Sequence, residues 1–186
     1  MKTKSIAFIA MGAAIIAALG IVPGIQLGGS GVPITLQSMA IMAIGGLLGA
    51  RRGFLSVVVF LLLVAAGAPL LSGGRGGWSV FVGPSAGYLF SWPFAAFLIG
   101  YSIDKIRVFP VFATALLSSV LFGIGFVYLM GSLGLMITMK TPFLAALAQN
   151  VVFLPGDAIK AVAASLFISK MANVPFVKER QRRHAA

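Results

Sequence analysis

The chain has 186 residues, of which 60% are hydrophobic and only 9% charged, with a net charge of +11 and no cysteine. An ordinary soluble domain is about 25% charged, and a fold of this size cannot hide so large an apolar surplus, so a water-surrounded domain is excluded and lipid must bathe the outer surface. Absent cysteines exclude disulfides and thiolate metal sites, and a lone His184 lacks partners for a metal centre. The cations sit at the ends of apolar runs rather than on a polar face, which argues against nucleic acid as a partner.

Apolar stretches run at about 5–22, 36–50, 53–72, 84–103, 108–130 and 156–173, separated by Gly, Pro or charge clusters. A crossing helix needs roughly 20 residues. The expectation is therefore an all-α membrane protein with six transmembrane helices. An apolar piece at 143–153, bounded by Pro142 and Pro155, is too short to span and is expected as a re-entrant or interfacial helix before the last crossing. The whole of 1–186 forms one integral membrane domain, with a basic cytoplasmic tail at 174–186. The first stretch is read as a membrane helix and not as a cleaved signal, because it is long enough to span and Pro23-Gly24 is a poor cleavage site.

Six crossings place both termini on one side. Eleven of the fourteen Lys and Arg residues fall on that side, which makes it cytoplasmic; Arg75, Lys140 and Lys160 are the exceptions. A cation where topology disfavours it needs another reason to be there, and ligand binding is one.

Within the first stretch Ala10, Ala14 and Ala18 recur every four residues. Such a stripe allows close helix approach. It serves either packing within this protein or docking to a separate membrane subunit.

Polar, glycine-rich segments follow on the outer side. The first is Gly28-Gly29-Ser30-Gly31-Val32-Pro33-Ile34-Thr35-Leu36-Gln37, and the second is Gly73-Gly74-Arg75-Gly76-Gly77-Trp78 leading to Gly83-Pro84-Ser85-Ala86-Gly87-Tyr88. Irregular backbone at membrane depth is tolerated only where it is buried in protein or lines a cavity, so the two could roof a pocket. Trp78 and Tyr88, each taken alone, read first as interfacial belt residues, the commoner role for aromatics at helix ends.

Of three acids, Asp104 and Glu179 flank cytoplasmic cations, whereas Asp157 follows Leu154-Pro155-Gly156 with Lys160 three residues on, sharing a helix face. One reading is a helix N-cap with a local ion pair. The other is a ligand clamp, the carboxylate accepting N–H groups and the ammonium attracting an anion. Nothing pairs a nucleophile with a base, and no Walker-type phosphate loop occurs. An enzyme is not expected, and energy for uptake would come from a partner.

Taken in order, Val32-Pro33-Ile34-Thr35-Leu36-Gln37, Gly49-Ala50-Arg51-Arg52-Gly53, the glycine loop at 73–77, Gly83-Pro84-Ser85-Ala86-Gly87-Tyr88 and Pro155-Gly156-Asp157-Ala158-Ile159-Lys160 resemble the BioY family, the substrate-capture (S) components of energy-coupling factor (ECF) biotin transporters. Ser85 and Ala86 depart from the usual Gly-Pro-Thr-Gly-Gly-Tyr, and Arg75 interrupts a loop that is often purely small or apolar. The resemblance implies biotin as transported ligand with no cofactor, contacted by Asp157 and Lys160. Asn150, Gln37 and Arg75 are further candidate donors, and Tyr88 and Trp78 candidate stacking partners. It also implies a membrane coupling (T) protein docking on the alanine stripe and two ATPase subunits. The alternatives are an S component for another vitamin, or a membrane structural or enzymatic subunit.

Overall fold

The computed structural model describes residues 2–26, 31–106 and 108–174, so part of the first glycine segment and nearly all of the basic tail lie outside the described residues. Helices α1 (Lys2–Gly20), α2 (Gln37–Leu48), α3 (Ala50–Ala65), α4 (Ala86–Lys105), α5 (Val111–Ser118), α6 (Val127–Met139), α7 (Phe143–Gln149) and α8 (Leu154–Met171) account for most of the chain. A π-helical segment, Ser119–Phe126, joins α5 to α6, and together they form one helix of 29 residues. Among the described residues the only β pairing is two isolated bridges, Ile25 with Ile34 and Leu71 with Arg75. The all-α expectation holds. Helix formation by a Val-rich run such as Val57-Val58-Val59 in α3 owes little to intrinsic propensity; an apolar surround obliges each backbone N–H and C=O to pair within its own segment.

Prolines and glycines set the boundaries. Pro110 and Pro142 immediately precede α5 and α7, and Pro155 sits in the first turn of α8, where a missing N–H costs nothing. Between α2 and α3 the corner is a single residue, Gly49, whose φ of 81° favours glycine.

The contacts give the helix directions. Along α1, Gly12 lies against Leu48 and Ser56, and Gly20 against Gln37 and Leu70, so α2 runs against α1 and α3 runs with it. In α4, Gly100 abuts the Gly49–Ala50 corner while Gly87 meets Gly134 near the end of α6. In α8, Asp157 reaches Ser38 while Ile168 packs on Gly46. The start of α1 and the end of α8 therefore share one end of the bundle with the Arg51–Arg52 corner, where the Arg52 guanidinium lies over the Phe8 ring. Loops 31–36 and 66–85 and the start of α8 gather at the other end.

Three helices among the described residues are long and apolar enough to cross a bilayer unaided, namely Thr3–Gly20, Ala86–Lys105 and Val111–Met139; a fourth is the pair Phe143–Val152 and Leu154–Met171, bent by 62°. The six crossings expected are a finer statement than these lengths carry. The second apolar stretch yields only the 12 helical residues of α2, about 18 Å of rise against a core of about 30 Å. It is cut short by the loop before Gln37 and the turn at Gly49. The 143–153 piece is indeed a separate short helix, continued by a 3-10 turn.

Glycine lets the inner helices touch backbone to backbone. A Cβ on Gly100 would lie 2.5 Å from Ala50 N and 2.6 Å from Gly45 O, whereas one on Gly125 would meet nothing nearer than Val120 O at 3.6 Å. Gly100→Val is accordingly expected to destabilise the protein by about 1–3 kcal/mol or more through overpacking. Gly125→Ala should change stability by no more than about 1 kcal/mol. Thermal unfolding in detergent checks the contrast; equal melting temperatures for the two variants would contradict it.

Candidate functional site

The site is built around the first turn of α8. Asp157 and Lys160 are one turn apart, with Nζ 2.9 Å from Oδ1 and side chains only 11% and 9% exposed. Two other helices complete the arrangement. From α2, Ser38 Oγ lies 3.3 Å from Asp157 Oδ1 and accepts from Lys160 Nζ at 3.3 Å. From α6, the Tyr128 hydroxyl donates to Asp157 Oδ2 at 2.8 Å. The single Ser38 proton chooses between Oδ1 and the Thr35 carbonyl at 3.2 Å. Of the two readings of Asp157, the local ion pair is present. The capping role is not, because Phe153 holds the cap position and no side chain caps the helix. A pair this buried persists because each charge answers the other and hydroxyls serve the remaining positions; removing one member strands the other.

A second polar network flanks the first. The Tyr88 hydroxyl donates to Asn150 Oδ1 at 2.7 Å, and Asn150 Nδ2 donates to Ser132 Oγ at 2.8 Å and toward the Ala146 carbonyl at 3.4 Å. Both Tyr88 and Asn150 are buried. Phe153, at the joint between α7 and α8, presents edges to Tyr88 and Tyr128 with centroids 6.4 and 6.3 Å away. The two networks thus brace one joint from α4 and α6.

The other sequence candidates are distributed around this centre. Gln37 is fully buried, its Nε2 donating to Ile16 O and Leu70 O at 3.1 Å each and its Oε1 accepting Ser72 N at 3.2 Å. Its amide therefore ties α1 and the loop after α3 to α2, and so places its neighbour Ser38 opposite Asp157. Arg75 is anchored within its loop, Nε donating to Ser72 O at 3.3 Å and Nη1 to Ser85 Oγ at 3.4 Å. Partial burial lowers the pKa of its guanidinium from the usual value. Trp78 is 72% exposed and meets Phe81 edge-on. Ala10, Ala14 and Ala18 line an exposed face of α1, with Ala13 and Ile16 turned inward.

The described parts of the two glycine-bearing segments do converge here. A Cβ on Gly31 would lie 3.5 Å from Pro84 Cγ, and one on Gly156 would lie 3.7 Å from Ile34 Cγ2. An open groove of about 430 Å³ between Ala17–Ala18 and Gly73–Gly74 shares no residue with the Asp157 network.

Sequence reasoning did not single out Ser38, Tyr128 or Ser132. Tyr128 stands two residues from the end of the 108–130 stretch, where a phenol reads as an interfacial residue; the helix runs on to Met139 and so carries it too deep for that belt.

The BioY family model matches residues 1–175. A biotin transporter BioY of Lactococcus lactis is 41% identical over 172 residues, covering 91% of each chain. One of Rhizobium etli is 42% identical over 177 residues, covering 89% of this chain and 91% of the relative. The crystal structure of an S-component for biotin from an ECF-type ABC transporter superposes with a TM-score of 0.91 at 39% identity, covering 97% of both chains. Similarity in sequence and in fold extends across essentially the whole molecule, and on that basis the chain belongs to the BioY family.

Proposed function

We propose that this multi-pass membrane protein captures biotin at the loop-bearing end of its bundle and serves as the S component of an ECF importer. The observation that carries the reading is the buried Asp157–Lys160 pair, framed by Ser38 and Tyr128 at the one end where loops 31–36 and 66–85 meet. Biotin offers a ureido ring with two N–H donors and a C=O acceptor, a thioether ring and a carboxylate tail. A carboxylate beside an ammonium presents acceptor next to donor, each charge-assisted bond being about 1.5–3 kcal/mol.

In this reading Asp157 and Lys160 touch the ligand. Asn150, Gln37 and Tyr88 hold the frame around them. Arg75 is the cation nearest in sequence to the second loop's entrance and is assigned to the carboxylate tail, with Trp78 at the membrane interface beside it. The protein is a transporter subunit and not an enzyme.

The helices cross the cytoplasmic membrane six times, α2 and α3 spanning only where neighbouring chain covers their ends. Both termini face the cytoplasm in this reading, which the eleven-to-three Lys and Arg asymmetry supports. With no ATP-binding loop of its own, the protein relies on a membrane T subunit and two ATPases. The exposed face of Ala10, Ala14 and Ala18 is where a helix of the T subunit approaches.

Titration of the purified protein with biotin tests the capture role. Asp157→Ala and Lys160→Ala are each expected to weaken binding at least about tenfold, or about 1.4 kcal/mol, and excess riboflavin or thiamine should not compete. Unchanged affinity in both variants would remove the site, and competition by another vitamin would reassign the ligand. For docking, Ala14→Leu should leave biotin affinity within about twofold yet reduce ATP-driven uptake by about tenfold or more, because a bulky side chain holds helices apart. Undiminished uptake by that variant would place the T subunit elsewhere.

A further inference from the structure

We propose that Tyr128 is a specificity-determining positioning residue, which locks the Asp157 carboxylate so that Oδ2 is kept for an N–H of a cyclic urea. The inference rests on the reading of Asp157 as the ligand's acceptor and goes beyond it by assigning which oxygen serves and what selects the ligand's edge.

The two carboxylate oxygens are not equivalent. Among the described residues, Oδ1 faces two partners, Lys160 Nζ at 2.9 Å and Ser38 Oγ at 3.3 Å. Oδ2 faces one, Tyr128 Oη at 2.8 Å. Each carboxylate oxygen accepts about two hydrogen bonds, so the remaining acceptor position is on Oδ2. Tyr128 has one proton and donates it to that oxygen, leaving its own lone pairs as a second acceptor beside the first.

The consequence is a polarity across the site: acceptors cluster at Oδ2, donors at Oδ1. A cyclic urea carries an N–H on each side of its C=O, so either edge presents donor beside acceptor, and each edge fits the site in one sense only. Its N–H enters on the Oδ2 side, and its C=O turns toward the third N–H of Lys160, the other two being taken by Oδ1 and Ser38 Oγ. A carboxylate presented to Oδ2 would meet acceptors alone and be repelled.

Tyr128 is well placed to hold this geometry. It is the second residue of α6, directly after the π-helical segment Ser119–Phe126. Its ring packs against the edge of Phe153 with centroids 6.3 Å apart, and Phe153 immediately precedes the helix that carries Asp157. Phenol and carboxylate are therefore referenced to the same joint.

The test is a titration series with biotin and biotin methyl ester, which share the urea and differ in the charge of the tail. Tyr128→Phe keeps the ring and its contact with Phe153 and removes only the hydroxyl. The expected result is a loss of about tenfold in affinity, equal for both ligands. In an Asp157→Asn background, Tyr128→Phe should change affinity by less than about twofold, since its effect passes through the carboxylate. That second comparison separates coupling through the carboxylate from an effect of packing. Unchanged biotin affinity in Tyr128→Phe overturns the proposal. So does a loss confined to biotin and absent for the ester, which would place Tyr128 at the tail. So does the same tenfold loss in the Asp157→Asn background, which would make the residue a packing element. Absence of biotin binding by the unaltered protein is a different failure, of the capture reading itself, and takes this inference with it.

Discussion

A carboxylate and an ammonium held 2.9 Å apart at about one-tenth exposure are the constraint around which the molecule is organised. Desolvating two charges costs several kcal/mol per ion even after relaxation, and mutual attraction offsets this only where geometry is good and the remaining positions find partners. Here those partners come from α2 and α6, so the pair is buried and its remaining positions served only when three helices have assembled. The arrangement is weak evidence for stability. Under the proposed function it is a polar centre kept in an apolar bundle for what it binds.

Close helix packing makes that centre possible. Where Gly45, Gly49 and Gly100 meet, backbones touch without intervening side chains, and Gly87 against Gly134 repeats the device at the opposite end of α4. Lipid provides no hydrophobic drive between helices, so such contacts supply van der Waals attraction instead. The Gln37 amide then fixes the loop end by bridging Ile16, Leu70 and Ser72. Loops 31–36 and 66–85, pinned by these bonds and by the Ile25–Ile34 and Leu71–Arg75 bridges, gather at the same end as the start of α8.

Much of this was legible in the chain itself. Apolar runs bounded by Gly and Pro mark the helices because the membrane imposes both length and polarity, and Asp157 with Lys160 stand out because only three acids occur at all. The shortness of α2 was hidden, since hydropathy continues through residues that the loop and the Gly49 corner take out of the helix. Ser38 and Tyr128 were hidden for another reason. Hydroxyls are common in membrane helices, and their meeting with Asp157 joins positions 119 and 29 residues apart. Composition also cannot say which groups an amide meets; in the structure both Nε2 protons of Gln37 go to main-chain carbonyls and Oε1 accepts Ser72 N. The alanine stripe was readable as small, but its outward face emerged only from the burial of Ala13 and Ile16 opposite.

A structure of the protein with biotin bound addresses the central claim most directly. The account predicts the ureido ring within about 3 Å of Asp157 Oδ2, with its carbonyl turned toward Lys160. Density for the vitamin in the groove between Ala17 and Gly74, with the Asp157 network undisturbed, would contradict it.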